Sequence, residues 1–177
     1  MDLKINTMKH ASPTHSTEQF AGKHLTFMLG REYYGLPVLK VREIIRMCDI
    51  TPTPNVPAFV KGVVNLRGKI IPVTDLRSKF GLTNTADTEL TCIVVVHVRR
   101  SDETTQLMGL IVDGVEEVVN LTAADIEPTP DFGQSEAADF ILGIAKIKGV
   151  MKALLDIDRI LGGSTQPLNP VHQTACS

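Results

Sequence analysis

Five histidines, three cysteines and the lysine of Gly68-Lys69 are the residues of this chain most able to do chemistry, and their spacing argues against each. His10, His15 and His172 lie in polar terminal stretches, His24 opens an apolar segment and His97 sits within the run 93–98. None has a serine, cysteine or carboxylate placed to complete a nucleophilic set. Cys48, Cys92 and Cys176 are too far apart for a disulfide framework or a zinc site, and the first two read as small core fillers. Asp156 and Asp158 lack the remaining ligands and the glycine of a calcium loop. The stretch 62–69, GVVNLRGK, spaces its glycines by five residues and continues Lys69-Ile70, whereas a phosphate loop needs four and then Ser or Thr. The expectation is a protein without catalysis, cofactor or metal.

Recognition is the chemistry left. Arg67 interrupts the apolar runs 63–64 and 70–73 in FVKGVVNLRGKIIPVTDLRSKFGL, residues 59–82. A guanidinium there offers planar, bidentate binding of a carboxylate; alternatively, Arg67-Gly68 is only a tight turn. Glu43 stands between Val41 and Ile44, and Glu117 between Val115 and Val118. Each is either a carboxylate that guards a strand edge or one half of a contact.

The elements that must carry these residues are strands. Leu25, Phe27 and Leu29 alternate with Thr26 and Met28, a turn at 30–32 leads into 33–38, and 93–98 is a β-branched run with 107–112 as hairpin partner. Two short helices are predicted at 75–80 and 156–161, each with an Asp N-cap and a Gly just after its end. The fold class is therefore all-β with short helices. Residues 1–19 and 163–177 are polar and are expected to be disordered or flexible. Net charge is −2 and the pI is about 6.2, without the basic footprint of a nucleic-acid protein. No apolar run approaches the roughly 18 residues a membrane span needs, and no secretory leader opens the sequence. A reducing cytoplasm suits the cysteines best.

The chain is also duplicated. Aligning Asp75 with Asp156 brings Gly68 onto Gly149, Arg67 onto Lys148, Gly62 onto Gly143 and Phe59 onto Phe140. Upstream, YGLPVLKVREII (34–45) matches MGLIVDGVEEVV (108–119), which places Glu43 on Glu117 and Ile44 on Val118. Both copies run G-L, V-x-E, P-T-P, F-x-x-G, [RK]-G, D-[LI], G. The duplication implies two subdomains with repeats at about 33–82 and 107–162, sharing a hydrophobic seam. The first copy carries eight Lys/Arg against three Asp/Glu and the second four against ten. That asymmetry is either a pair of solvated faces or a dipole that favours head-to-tail neighbours.

These residues, from LGREYYGLPVLKVREII through NLRGKIIPVTDLR to IVDGVEEVV, closely resemble the CheW chemotaxis coupling proteins over about 27–161. The resemblance implies two SH3-like, five-stranded β-barrels side by side in a domain spanning 20–162. It implies an adaptor that binds the cytoplasmic tip of chemoreceptors and the regulatory domain of the CheA histidine kinase, with possible self-association in array rings. Val38, Val41, Glu43, Ile44 and Arg67 match the family's receptor-contacting positions. Glu127, Asp131 and Phe132 match a kinase-contacting loop, where Glu127 departs from members that are basic at that position. A scaffold of a parallel sensory pathway is the alternative within that class. Outside it, the groove between the barrels would hold a peptide or small ligand.

Overall fold

The computed structural model describes residues 17–82, 86–130 and 139–162. Its elements run β1 (Gly22–Leu29), β2 (Glu32–Pro37), β3 (Val41–Arg46), β4 (Val60–Leu66), β5 (Lys69–Asp75), α1 (Leu76–Lys79), β6 (Cys92–Arg99), β7 (Thr105–Val112), β8 (Gly114–Leu121), β9 (Ile126–Glu127), β10 (Ile141–Ile147), β11 (Val150–Leu155) and α2 (Ile157–Gly162). Short 3₁₀ turns precede β1 (Thr17–Phe20), join β2 to β3 (Val38–Lys40) and join β8 to β9 (Ala123–Asp125). The strands form two sheets, ordered β8-β1-β2-β11-β10-β9 and β3-β6-β7-β5-β4. Each curls towards closure. Beyond β3, Thr51 bridges Val63 of β4; beyond β8, β9 pairs with β10. Because β8 and β9 are one strand path broken by a turn, both sheets correspond to the expected five-stranded barrel.

The sequence repeats and the barrels are different units. Hairpin β1–β2 belongs to the barrel completed by β8 to β11, while hairpin β6–β7 completes the barrel of β3, β4 and β5. The copies 33–82 and 107–162 therefore do not each close their own barrel. Each lends its leading strands to the other through a short parallel seam, β2 on β11 and β7 on β5. A contiguous copy would leave a long unpaired edge, and the exchange covers it.

Exchange also explains the largest of the three cores, which lies between the barrels. Leu25, Phe27 and Leu29 of β1 meet Val94, Val96 and Val98 of β6 there, with Leu76 of α1 and Ile157 and Ile160 of α2. Strand β6 is apolar on both faces because its alternate residues, Ile93 and Val95, fill the interior of the second barrel. The first barrel is more polar at the matching positions. Register places His24, Thr26 and Lys152 where the second barrel has Ile93, Val95 and Ile71. Lys152 is buried against Glu116 and lies 5.3 Å from the Tyr33 ring. The lysine holds the Glu116 carboxyl below its ordinary range.

His24 supplies a pH test of that interior. Its Nδ1 lies 3.1 Å from the Gly22 carbonyl, and its Nε2 is buried without a partner among the described residues, so protonation would strand a second N–H donor. Burial lowers the His24 pKa. The unfolded chain therefore binds the proton first, and stability falls as pH drops below the unfolded value near 6.5. Urea midpoints should decline between pH 7 and pH 5, and His24→Leu should remove that component.

The shared F-x-x-G has a structural reason. Gly62 and Gly143 sit at bulges in β4 and β10, where the closing strand of each barrel crosses. A Cβ on Gly62 would lie 2.0 Å from the Thr51 carbonyl oxygen, and one on Gly143 would lie 3.0 Å from that of Glu127. The predicted helices form at Leu76–Lys79 and Ile157–Gly162. Asp75 caps the first by accepting from the Arg77 backbone N–H at 2.9 Å. Within the segment read as disordered, Thr17 begins a 3₁₀ turn and its hydroxyl lies 3.4 Å from the Ala123 carbonyl. The rest of that segment, and the tail from 163, lie outside the described residues.

Candidate functional site

Strand β3 is an edge strand carrying one residue more than β6 opposite it. Val41 pairs with Val96, but Glu43 pairs with Val95 and Ile44 with Val94. In a regular strand Val41 and Ile44, three residues apart, would face opposite sides. The bulge resets the alternation, so that both share the face of Val94 and Val96, which is the seam. Val38, in the turn before β3, packs on the same core as Val41. The structure thus brings Val38, Val41 and Ile44 to one surface. Val38 and Val41 are half-buried there, and Ile44 is 44% exposed.

Glu43 points the other way, towards the β4–β5 turn, and meets Arg67. Nη1 and Nη2 of Arg67 each donate to one Glu43 carboxylate oxygen at 3.0 Å. The pair is therefore one bidentate unit at the rim, not two separate contacts. Arg67 is 74% exposed and Glu43 22%, so solvent limits the pair's own contribution to about 1 kcal/mol or less. Arg67 and Gly68 have φ of +51° and +85°, the left-handed pair of a type I′ hairpin turn, and Asn65 Oδ1 accepts from the Gly68 N–H at 2.9 Å. Asn-Gly is the preferred sequence for such a turn. An arginine held in this conformation costs stability, which favours the recognition reading of its side chain.

The second copy repeats the construction in β8. Its bulge lies between Val115 and Val118, and the Thr26 hydroxyl fills the broken ladder by accepting from the Glu117 N–H at 3.2 Å and donating to the Glu117 carbonyl at 2.9 Å. Lys148, at φ +50°, lies 3.5 Å from Glu117, in the place Arg67 takes beside Glu43. Val118, Val150 and Met151 are exposed around it.

Sequence reasoning missed Leu39, which stands 94% exposed between Val38 and Lys40. It also missed the exposed Arg42 and Arg46 beside Ile44. Nothing in their types separates them from ordinary strand residues until the bulge is known. Cys48 is exposed, which corrects its reading as a core filler: β3 ends at Arg46, so Cys48 lies beyond the strand and outside its packing. Cys92 is half-buried against the seam, and burial pushes its thiol up, away from thiolate reactivity. The segment 62–69 is hairpin β4–β5, not a phosphate loop. Among the described residues no group of three or more His, Cys, Asp or Glu could hold a metal, and no helix is long and apolar enough to cross a membrane. An open cleft of about 440 Å³ lies at the fork of β5 and β7, lined by Lys69, Ile70, Ile71, Thr105, Gln106 and Leu107. Of the three kinase-side residues, Glu127 is exposed on β9, and Asp131 and Phe132 lie outside the described residues.

Two interlocked barrels, with an edge strand that sets Val41 and Ile44 on one face beside a turn-borne ion pair, define a double-barrel module. Residues 23–164 match the model of the CheW-like domain, and the chain belongs to that family of chemotaxis coupling adaptors. It is 36% identical over 151 residues to the chemotaxis protein CheW of Klebsiella aerogenes, covering 85% of this chain and 88% of that one. The CheW of Rhizobium meliloti is 32% identical over 148 residues, covering 79% and 92%. Among solved structures, the scaffolding protein TtCheW of Thermoanaerobacter tengcongensis superposes with a TM-score of 0.72 at 34% identity, over 84% of this chain and 98% of that one.

Proposed function

We propose that the seam edge of β3 receives the cytoplasmic tip of a chemoreceptor, and that a separate surface engages the regulatory domain of a CheA-type histidine kinase. One observation carries the receptor side: the β3 bulge puts Ile44 on the face of Val41, beside Val38 of the preceding turn, and leaves Glu43 on the opposite face, where it meets Arg67. An amphipathic helical hairpin would lay its apolar residues on that face. Arg67 spends its two terminal nitrogens on Glu43, so the ion pair acts as a preformed polar stop that fixes register. Glu127 on β9, with Asp131 and Phe132 beyond it, supports a kinase contact at the other barrel. Exposed Arg42 and Arg46 on β3 have acidic or neutral counterparts, Glu116 and Asn120, on β8. That opposition supports head-to-tail self-association in a ring as a further contact. The chain would work in the cytoplasm without entering the membrane itself and without catalysis of its own.

Arg67→Asn separates recognition from turn geometry. Asparagine tolerates the left-handed conformation, so the urea midpoint should hold or rise, while affinity for a receptor-tip fragment should fall about tenfold. Unchanged affinity, read by titration calorimetry, would leave Arg67 a turn residue only.

A further inference from the structure

Two latches hold the barrels together, each joining a residue of one copy of the repeat to a residue of the other. In the first, Arg77 of α1 bonds Asp113, just after β7, at 3.1 Å, and the other Asp113 oxygen accepts from the Gly30 N–H in the β1–β2 turn at 2.6 Å. In the second, Asp158 of α2 stands at the position matching Arg77. It pairs with Lys40, just before β3, at 2.5 Å, and its other oxygen accepts from the Arg99 N–H at the end of β6 at 2.8 Å. In each, a carboxylate ties the backbone of one hairpin to a cation from another element.

The latches differ in depth. Arg77 is 4% exposed and also binds Asp75 and Asp87. Lys40 and Asp158 are 34% and 27% exposed, and among the described residues Lys40 has no other partner. We propose that Lys40–Asp158 is the releasable latch and Arg77 the fixed one, so that the barrels part first along the side of the 3₁₀ turn Val38–Lys40. That turn carries Val38, one wall of the apolar face, and Leu39, its most exposed residue. Releasing Lys40 therefore lets the wall move while the seam core stays packed. An ion pair this open is screened by salt, which makes ionic strength its natural trigger.

Amide hydrogen exchange on the full chain tests this. Lys40→Gln should speed exchange at the Arg99 and Val41 amides about two- to fivefold, the range expected for one exposed pair. Gly30 and the core strands should be unaffected, and Lys40→Arg should keep wild-type protection. Raising salt should speed the same two amides in the wild type and do nothing further in Lys40→Gln. Unchanged exchange in Lys40→Gln would overturn the proposal. So would a rise shared equally by Gly30 and the β1 and β6 amides, which would mark a loss of overall stability instead.

Discussion

Arg77→Ala lowers the free energy of unfolding by about 3–5 kcal/mol, the cost of breaking a buried ion pair from one side. The guanidinium bonds Asp75 through Nε and Nη2 at 3.0 Å each, Asp87 at 2.8 Å and Asp113 at 3.1 Å. These carboxylates, Asp75 foremost, raise its pKa further, so it stays charged at any working pH. Removing it leaves the Asp75 carboxylate, itself buried, without its main partner, and frees the latch to the β1–β2 turn. Domains commonly have about 5–15 kcal/mol of stability in total, so the variant should show a far lower urea midpoint. Arg77→Lys should rescue little, because one ammonium cannot replace a planar fork across three acids. Arg159→Ala is the control: that side chain is 63% exposed beside Asp156 and should change stability by about 0.5 kcal/mol or less.

Ile44→Glu weakens receptor-tip binding about 100-fold, or roughly 2.8 kcal/mol at about 1.4 per decade. The position is nearly half exposed, so the free protein can solvate the new carboxylate and should keep its urea midpoint. In the complex the carboxylate would be buried without a partner against an apolar helix face, where desolvation is costly. Calorimetric titration of the two proteins with the same tip fragment reads the difference. An equal loss of kinase binding would show that the two surfaces are not separate.

Much of the fold was legible in the sequence because local chemistry and tertiary structure agree. The D-[LI] of each copy is an N-cap followed by a buried helix residue, Leu76 or Ile157. The [RK]-G is a left-handed turn in both, and the F-x-x-G marks the crossing of each closing strand. The shared seam could be inferred from the small size of the repeat. Exchange of hairpins could not, because β2 and β7 carry the same G-L signal whichever copy they join; only pairing in space decides. The candidate site was legible by residue type more than by geometry. Alternation along Val41, Glu43 and Ile45 gives no sign that Ile44 rejoins the face of Val41, since one extra residue in β3 does that. Glu43 and Arg67 were separate candidates in the sequence, 24 residues apart, and only the curl of β4 and β5 makes them one bidentate pair. Lys152 and His24 were invisible as interior groups, for a lysine or histidine in a strand ordinarily faces water.

The most direct test of the adaptor account is a co-precipitation of the full chain with a receptor-tip fragment and a CheA regulatory domain, for wild type and Ile44→Glu. The account predicts that wild type captures both partners and that Ile44→Glu keeps the kinase domain while losing the tip. Retention of the tip by Ile44→Glu, with its fold intact, would contradict the placement of the receptor on the seam edge of β3.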